Sequence, residues 1–522
     1  MASTVEPRSA TASHVMRSLC YLLPISIALV SAMSLPAASA AAASAESSVT
    51  SSSRVRGAPR VGSSGAASTC AGAVNARGGA TSEGESASVD CSAASGSGSG
   101  THKHSYHSTG HPAVPDRLRL KQVVVICRHG DRAPVSNSLG KILEDGPESV
   151  KLWNAKLPPK DELDRWNEAF TPRVLGDTLG QTIEEITSAE GPWGQLTSRG
   201  ADELQTVGEG LRGVLDGGGA EGGDGERWLF PAGLEADKSS IFVRCTKLKR
   251  THQSAQNMLT GLGLKGGVDL FVRPTDRETM WPSRHNRGKQ NDLIAEANAK
   301  NTFPGQAELK TKTSEMIGLP EEEVKWTAVR EVLSCYEAHG VALPTWAVSS
   351  GVVEGVVNYT GWMWGRWFGE REMARLSLGP FVAELLTLVG ARGHETGVPE
   401  ANMPSTPKLA IFSGHDSTLV PILAALKIYD DVWPPYASYI SLDVAEDQDG
   451  ERRVRVVYNG KEAVLPGAEG PWITVPELQE RLEDVMPKPE DAIDIKLDGA
   501  TAASSEISAA VSNSGGSRKK RE

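Results

Sequence analysis

Three short apolar runs, each leading straight into a polar cluster, constrain this chain of 522 residues more than any other feature. The run at 123–126 leads into Arg128-His129-Gly130-Asp131-Arg132-Ala133-Pro134. The run at 241–243 leads into Arg244-Cys245-Thr246-Lys247-Leu248-Lys249-Arg250, and the run at 409–412 into Ser413-Gly414-His415-Asp416-Ser417-Thr418. A strand that is apolar at every position has both faces covered, as in a parallel sheet between helix layers. Helical patterns follow the runs, at 204–215, 251–262 and 418–426; in the first, Leu204, Val207, Leu211 and Leu215 form one stripe. This alternation predicts an α/β fold, a layered α/β/α domain around a central mixed sheet. The tryptophan-bearing block from about 280 to 405 predicts an inserted, mainly helical subdomain. Ligands of such sheets lie beyond the carboxyl ends of the strands, so the three polar clusters are expected to converge there.

The clusters carry phosphate chemistry. Arg128 and Arg132 flank His129, and a phosphate dianion favours planar, permanently charged donors that bind two oxygens at once. Gly130 lets the backbone approach closely, and Pro134 fixes the exit of the loop. Cys127 invites a cysteine-nucleophile reading, but that chemistry needs five residues between the cysteine and the arginine. Here Arg132 follows after four, so Cys127 reads as a small buried hydrophobe. Singly each cluster is weak, since a lone histidine after a strand is more often structural. His252 and His339 are read in that way.

Arg-His-Gly-x-Arg-x-Pro directly after a buried strand resembles the signature of the histidine acid phosphatases, branch 2 of the histidine phosphatase superfamily. The resemblance runs from about 118 to 470. It extends through Tyr429 and Pro434-Pro435-Tyr436-Ala437-Ser438, a stretch similar to the lysosomal and prostatic acid phosphatase group. It implies that His129 is the nucleophile and Asp416 the proton donor, and that Arg128, Arg132, Arg250 and His415 bind the substrate phosphate. Arg244 stands beside Arg250 in sequence. The other ring nitrogen of His129 is expected to donate to a fixed acceptor such as a backbone carbonyl, and Asp416 is expected to have a raised pKa. Neither metal nor other cofactor is implied, because guanidiniums supply the positive field. Two departures are visible. Cys245-Thr246-Lys247 replaces the frequent Ser-Thr-Asp, and Ala468 stands where many lumenal members have a cysteine, so their disulfide pattern does not carry over.

Composition sets the boundaries. Residues 1–40 read as a signal peptide, with Arg17 before an apolar run and a small-residue cleavage site at Ala38-Ser39-Ala40. An uncleaved anchor is the alternative, and membrane association is expected only in that case. Residues 41–113, rich in Ser, Ala and Gly, read as a disordered linker. It closes on His102, His104, His107 and His111, read as solvated rather than metal-binding. Residues 114–490 form the catalytic domain, and 491–522 a disordered tail whose final basic residues read as solvated. The six cysteines show no metal spacing. Asn358-Tyr359-Thr360 is a glycosylation sequon. A net charge of −11 disfavours nucleic acid as a partner. Locally, however, residues 241–290 hold ten Lys or Arg against three Asp or Glu. The expected partner is a phosphomonoester and the expected location is the secretory pathway, secreted or lumenal as in a lysosome or vacuole; no signal indicates an oligomeric state. Rival readings are an inositol-polyphosphate phosphatase, with Lys247, Lys249, Arg284 and Arg287 lining a wider pocket, a phosphomutase, which Pro134 disfavours, and an inactive phosphate-binding module.

Overall fold

Strand β1 (Arg119–Arg128) divides the core in two. Val124 and Ile126 pack with Leu378, Phe381, Leu419 and Leu423 on one face. Val123, Val125 and Cys127 pack with Leu204, Val207, Met258 and Leu259 on the other. Each such side chain contributes roughly 1.5–3 kcal/mol on burial. The computed structural model describes residues 110–135, 147–175, 191–217, 228–275, 277–283, 286–343, 345–391, 406–488 and 491. The leader, nearly all of the linker, all of the tail beyond Asp491, and Arg284 lie outside them.

The sheet order is β2-β4-β3-β5-β1-β6-β7-β8, with β9 also paired to β7. Strands β2 (Pro172–Val174), β3 (Ile241–Cys245), β4 (Leu270–Val272), β5 (Leu409–Gly414) and β1 run parallel. Strands β6 (Tyr439–Glu446), β7 (Arg452–Tyr458), β8 (Lys461–Ala463) and β9 (Trp472–Thr474) extend it antiparallel, giving the mixed sheet. The three apolar runs are therefore the neighbours β3-β5-β1. Their register pairs Arg128 with Gly414 and Cys245 with Ser413, so all three strands end at one level. The three-residue strands β2 and β4 are too short to stand out in the sequence.

On one face of the sheet, helix α3 (Ser198–Leu215) packs against α4 (Lys249–Gly261). These follow the shorter α1 (Pro147–Asn154) and α2 (Lys160–Ala169). Helix α3 begins before its apolar stripe because Thr197 caps it, accepting from the Gly200 amide. Between β4 and β5 come α5 (Arg287–Lys300), α6 (Gln306–Ile317), α7 (Trp326–Ala338), α8 (Thr345–Ser349), α9 (Val352–Gly369) and α10 (Arg371–Leu388). They build a separate core around Trp326, Tyr359, Trp364 and Trp367. Helix α10 leaves that core, because its residues Leu378, Phe381 and Leu385 cover the sheet alongside α11 (Asp416–Ala425). The last helix, α12 (Val475–Leu482), is closed by a capping box between Thr474 and Glu477. Asn358 is exposed on α9, whereas Tyr359 and Thr360 are buried.

Residues 110–113, assigned to the linker on composition, pack against the antiparallel half. His111 bonds Asp443 Oδ2 at 2.8 Å, and buried Arg455 donates to the carbonyls of Ala113 at 2.8 Å and Pro112 at 2.5 Å. Asp443 accepts from Arg455 Nε at 2.8 Å, so the arm closes a buried ion-pair network. No helix among the described residues is long and apolar enough to cross a membrane. The described cysteines Cys127, Cys245 and Cys335 are buried free thiols.

Candidate active site

The loop after β1 is held from below. Its Gly130 amide donates to Ser254 Oγ at 3.1 Å and its Asp131 amide to Glu203 Oε2 at 2.9 Å. The Asp131 carboxylate accepts from Thr197 Oγ1 at 2.6 Å and pairs with His339. Gly130 sits so close to α3 that an added Cβ would lie 2.1 Å from the Gly200 carbonyl oxygen. The chain needs glycine at this crossing.

His129 emerges from that loop, buried. Its Nδ1 lies 2.8 Å from the Gly130 carbonyl oxygen, which only accepts, so the proton sits on Nδ1 and Nε2 carries the lone pair. Burial, then the charges of Arg250, Arg132 and Arg128, hold its pKa well below that of an ordinary imidazole. The ring is therefore neutral, with the lone pair on the nitrogen that does not bond the backbone. The rings of His415 and Tyr436 lie 5.4 and 5.8 Å away, centroid to centroid.

The structure brings together all six residues singled out from the sequence. Arg128 donates to the Pro434 carbonyl at 2.6 Å, lies over the Tyr436 ring at 4.0 Å and meets Asp416 Oδ2 at 3.0 Å. Arg132 pairs with Glu331 and donates to the Ala133 carbonyl at 3.1 Å. Arg250, in the first turn of α4, donates to the Gly194 carbonyl at 3.2 Å. His415 is the N-cap of α11 and Asp416 its first residue, so both stand at a helix N-terminus, a position that favours negative charge.

The hydrogen inventory around His415 is closed. Thr251 Oγ1 lies 3.0 and 2.8 Å from the carbonyls of Thr246 and Leu248, which claim its proton. The bond between the two threonine hydroxyls, 3.1 Å long, therefore takes its proton from Thr246. Thr246 Oγ1 in turn accepts from His415 Nε2–H at 2.8 Å. Any further acceptor at that N–H must share it with the threonine or displace it.

Asp416 differs from expectation. Burial pushes its carboxyl up, but Arg128, then Arg330 and Arg132, pull harder and leave it well below the usual carboxylate range. It is ionised here rather than held protonated, because guanidiniums surround it. Trp433 Nε1 also donates to Asp416 Oδ2, at 3.2 Å.

Neighbours that were given no role from the sequence also reach the site, and of these only Tyr436 lies in a stretch singled out there. Arg330 and Glu331 reach the site from α7, and Trp433 and Tyr436 from the loop before β6. With them the charges become four guanidiniums (Arg128, Arg132, Arg250, Arg330) against two carboxylates (Asp416, Glu331), a net +2. Arg244 is not part of this group. It points to the other side of the sheet, bonded to Glu384 at 2.8 Å and packed against Phe381 and Phe412. His252 is structural, donating to the Thr246 carbonyl at 2.9 Å. Cys127 is no nucleophile, since burial pushes its thiol up to about 12. No group of three or more His, Cys, Asp or Glu that could hold a metal ion occurs among the described residues.

A neutral imidazole with a free nitrogen, ringed by arginines at the carboxyl ends of parallel strands, defines a phosphoric monoester hydrolase. The comparisons with known proteins agree. The family model described as histidine phosphatase superfamily (branch 2) matches residues 119–338 and 360–459, and the chain belongs to that superfamily. Lysophosphatidic acid phosphatase type 6 of Bos taurus is 25% identical over 378 residues, covering 68% of this chain and 81% of the relative. Lysosomal acid phosphatase of Bos taurus is 24% identical over 397 residues, covering 70% and 76%. Among solved structures, the apo form of Hafnia alvei phytase aligns with a TM-score of 0.48 at 12% identity, over 73% of this chain and 100% of that one.

Proposed function

We propose that this chain is an acid phosphatase that passes the phosphoryl group of a phosphomonoester through His129 to water. The observation that carries this reading is the 2.8 Å bond from His129 Nδ1–H to the Gly130 carbonyl, which leaves Nε2 as the attacking atom. In the first step the Nε2–P bond forms as the bond from phosphorus to the leaving oxygen breaks. The loose transition state places charge on the equatorial oxygens, where Arg128, Arg132, Arg250 and His415 offer donors. Because Asp416 starts ionised, the proton comes with the substrate. A phosphate monoanion, whose second pKa is about 6, delivers it to Asp416, and Asp416 hands it to the leaving oxygen. The alcohol departs. Water then attacks phosphorus and gives its proton to Asp416, and the Nε2–P bond breaks to release inorganic phosphate.

All six residues this cycle needs are present, which favours an enzyme over an inactive binding module. The positive field comes from guanidiniums, so turnover is expected to persist in excess chelator. The N-terminal leader pattern and the lysosomal acid phosphatase relatives support a secretory or lysosomal route. The test is rapid quenching with a radiolabelled phosphomonoester. An acid-labile, base-stable phosphoenzyme is expected in the parent and none in His129→Ala, whose turnover is abolished. A His129→Ala protein that still turns over would refute the assignment.

A further inference from the structure

Arg330 takes no part in the cycle above, yet it stands inside the site. It is 4% exposed, and its Nε is buried without an acceptor among the described residues. Its Nη2 lies 3.9 Å from Asp416 Oδ2, an ion pair too long for a hydrogen bond. The other three arginines each donate to a backbone carbonyl: Arg128 to Pro434, Arg132 to Ala133 and Arg250 to Gly194. The Arg330 Nε is thus a buried donor without an acceptor, a costly arrangement unless a ligand completes it.

Position decides which anion. Asp416 hands its proton to the leaving oxygen, so a group beside the Asp416 carboxylate borders the leaving group rather than the phosphoryl oxygens. One face of the Arg330 guanidinium is covered by Trp433, at 3.9 Å to the ring centroid. The edge is left, and a guanidinium edge matches a planar group that accepts at two points. Asp416 and Glu331 are close by, so a single added negative charge is tolerated better than a dianion. The scissile phosphate monoanion takes one unit of the site's net +2, and one unit remains for such a group.

We infer that Arg330, seated on Trp433, recognises a carboxylate on the leaving group, so that the preferred substrates are phosphate monoesters of hydroxy acids. This rests on the His129 and Asp416 assignments above.

The test uses the full chain and two probes, 2-phosphoglycerate and glycerol 2-phosphate. They share the secondary phosphate ester and one hydroxymethyl arm, and differ in carrying a carboxylate or a second hydroxymethyl on the other. The readout is the ratio of their kcat/KM values, which is insensitive to any general loss of activity. The parent is expected to favour 2-phosphoglycerate by about tenfold or more, the effect of a charge-assisted contact. Arg330→Gln should bring the ratio to within about threefold of unity, and Arg330→Lys, which keeps the charge without the planar edge, should fall between. A ratio near unity in the parent, or one unchanged in Arg330→Gln, overturns the inference. Equal slowing of both probes by Arg330→Gln does so too, and reassigns the residue to positioning Asp416. If glycerol 2-phosphate is hydrolysed through a phosphoenzyme without any preference, this inference fails alone. If no phosphoenzyme forms, it fails together with the phosphatase reading.

Discussion

At the scale of single residues, the proposed cycle gives attack and proton transfer to two groups that the same arginines hold in opposite states of charge. His129 is kept neutral by burial and surrounding arginines, and Asp416 is kept ionised by the same arginines. Asp416→Asn should therefore slow glycerol 2-phosphate by about 100-fold or more, and nitrophenyl phosphate, whose leaving group needs no proton, by less than about tenfold. Parallel kcat measurements check this, and equal slowing would remove Asp416 from the proton path. The six residues named from the sequence were legible because each stands at a strand end or within a few positions after one. Arg330 and Glu331 were not. They lie within an ordinary amphipathic helix, and nothing local to α7 indicates that this turn faces a loop some two hundred positions earlier. The same holds for Trp433, whose indole is tied to Asp416 only in space.

At the scale of elements, the catalytic loop is aimed by its contact with α3. An added Cβ on Gly200 would lie 2.1 Å from the Asp131 carbonyl oxygen, as one on Gly130 would from Gly200. Gly200→Ala, though it touches no substrate, should lower kcat by about tenfold or more and reduce stability by about 1–3 kcal/mol. Steady-state rates and urea unfolding read the two effects. Beside this contact lies Glu203, whose pKa is raised to about 7 by burial and then by the Asp131 carboxylate. The fold holds that proton up to about pH 7, whereas the unfolded chain releases it near its ordinary value of about 4.5. Its contribution is thus complete below pH 4.5 and is lost as pH rises through 7. Relative to the parent, Glu203→Gln should gain stability from pH 5 to pH 8, seen as a smaller fall in unfolding midpoint. The main elements were legible wherever an apolar run or stripe was long. The Gly130–Gly200 crossing was not, since two glycines seventy positions apart carry no pattern that pairs them.

At the scale of the whole molecule, the sheet supplies the chemistry and the helical insertion closes it, with α7 contributing one arginine and one carboxylate. The balance of charge sets the working pH. The rate should fall above about pH 6, as the substrate monoanion that brings the proton disappears. The acid limb should lie well below pH 6.5, because His129 resists protonation. A kcat/KM profile on an unactivated ester checks both, and an acid limb at 6.5 would contradict the buried neutral ring. The layered fold and its insertion were legible from the order of the runs. The antiparallel half was foreshadowed only as a mixed sheet, and the arm at 110–113 was hidden in low-complexity sequence. That arm answers Arg455, a buried cation that draws on two carbonyls of the arm and on Asp443. A form starting at residue 115 should unfold several degrees below one starting at residue 109, by calorimetry. The arm therefore gives maturation a landmark: a protease that cuts downstream of residue 113 takes from Arg455 two of its acceptors and from Asp443 its histidine, while every residue of the proposed cycle stays in the chain.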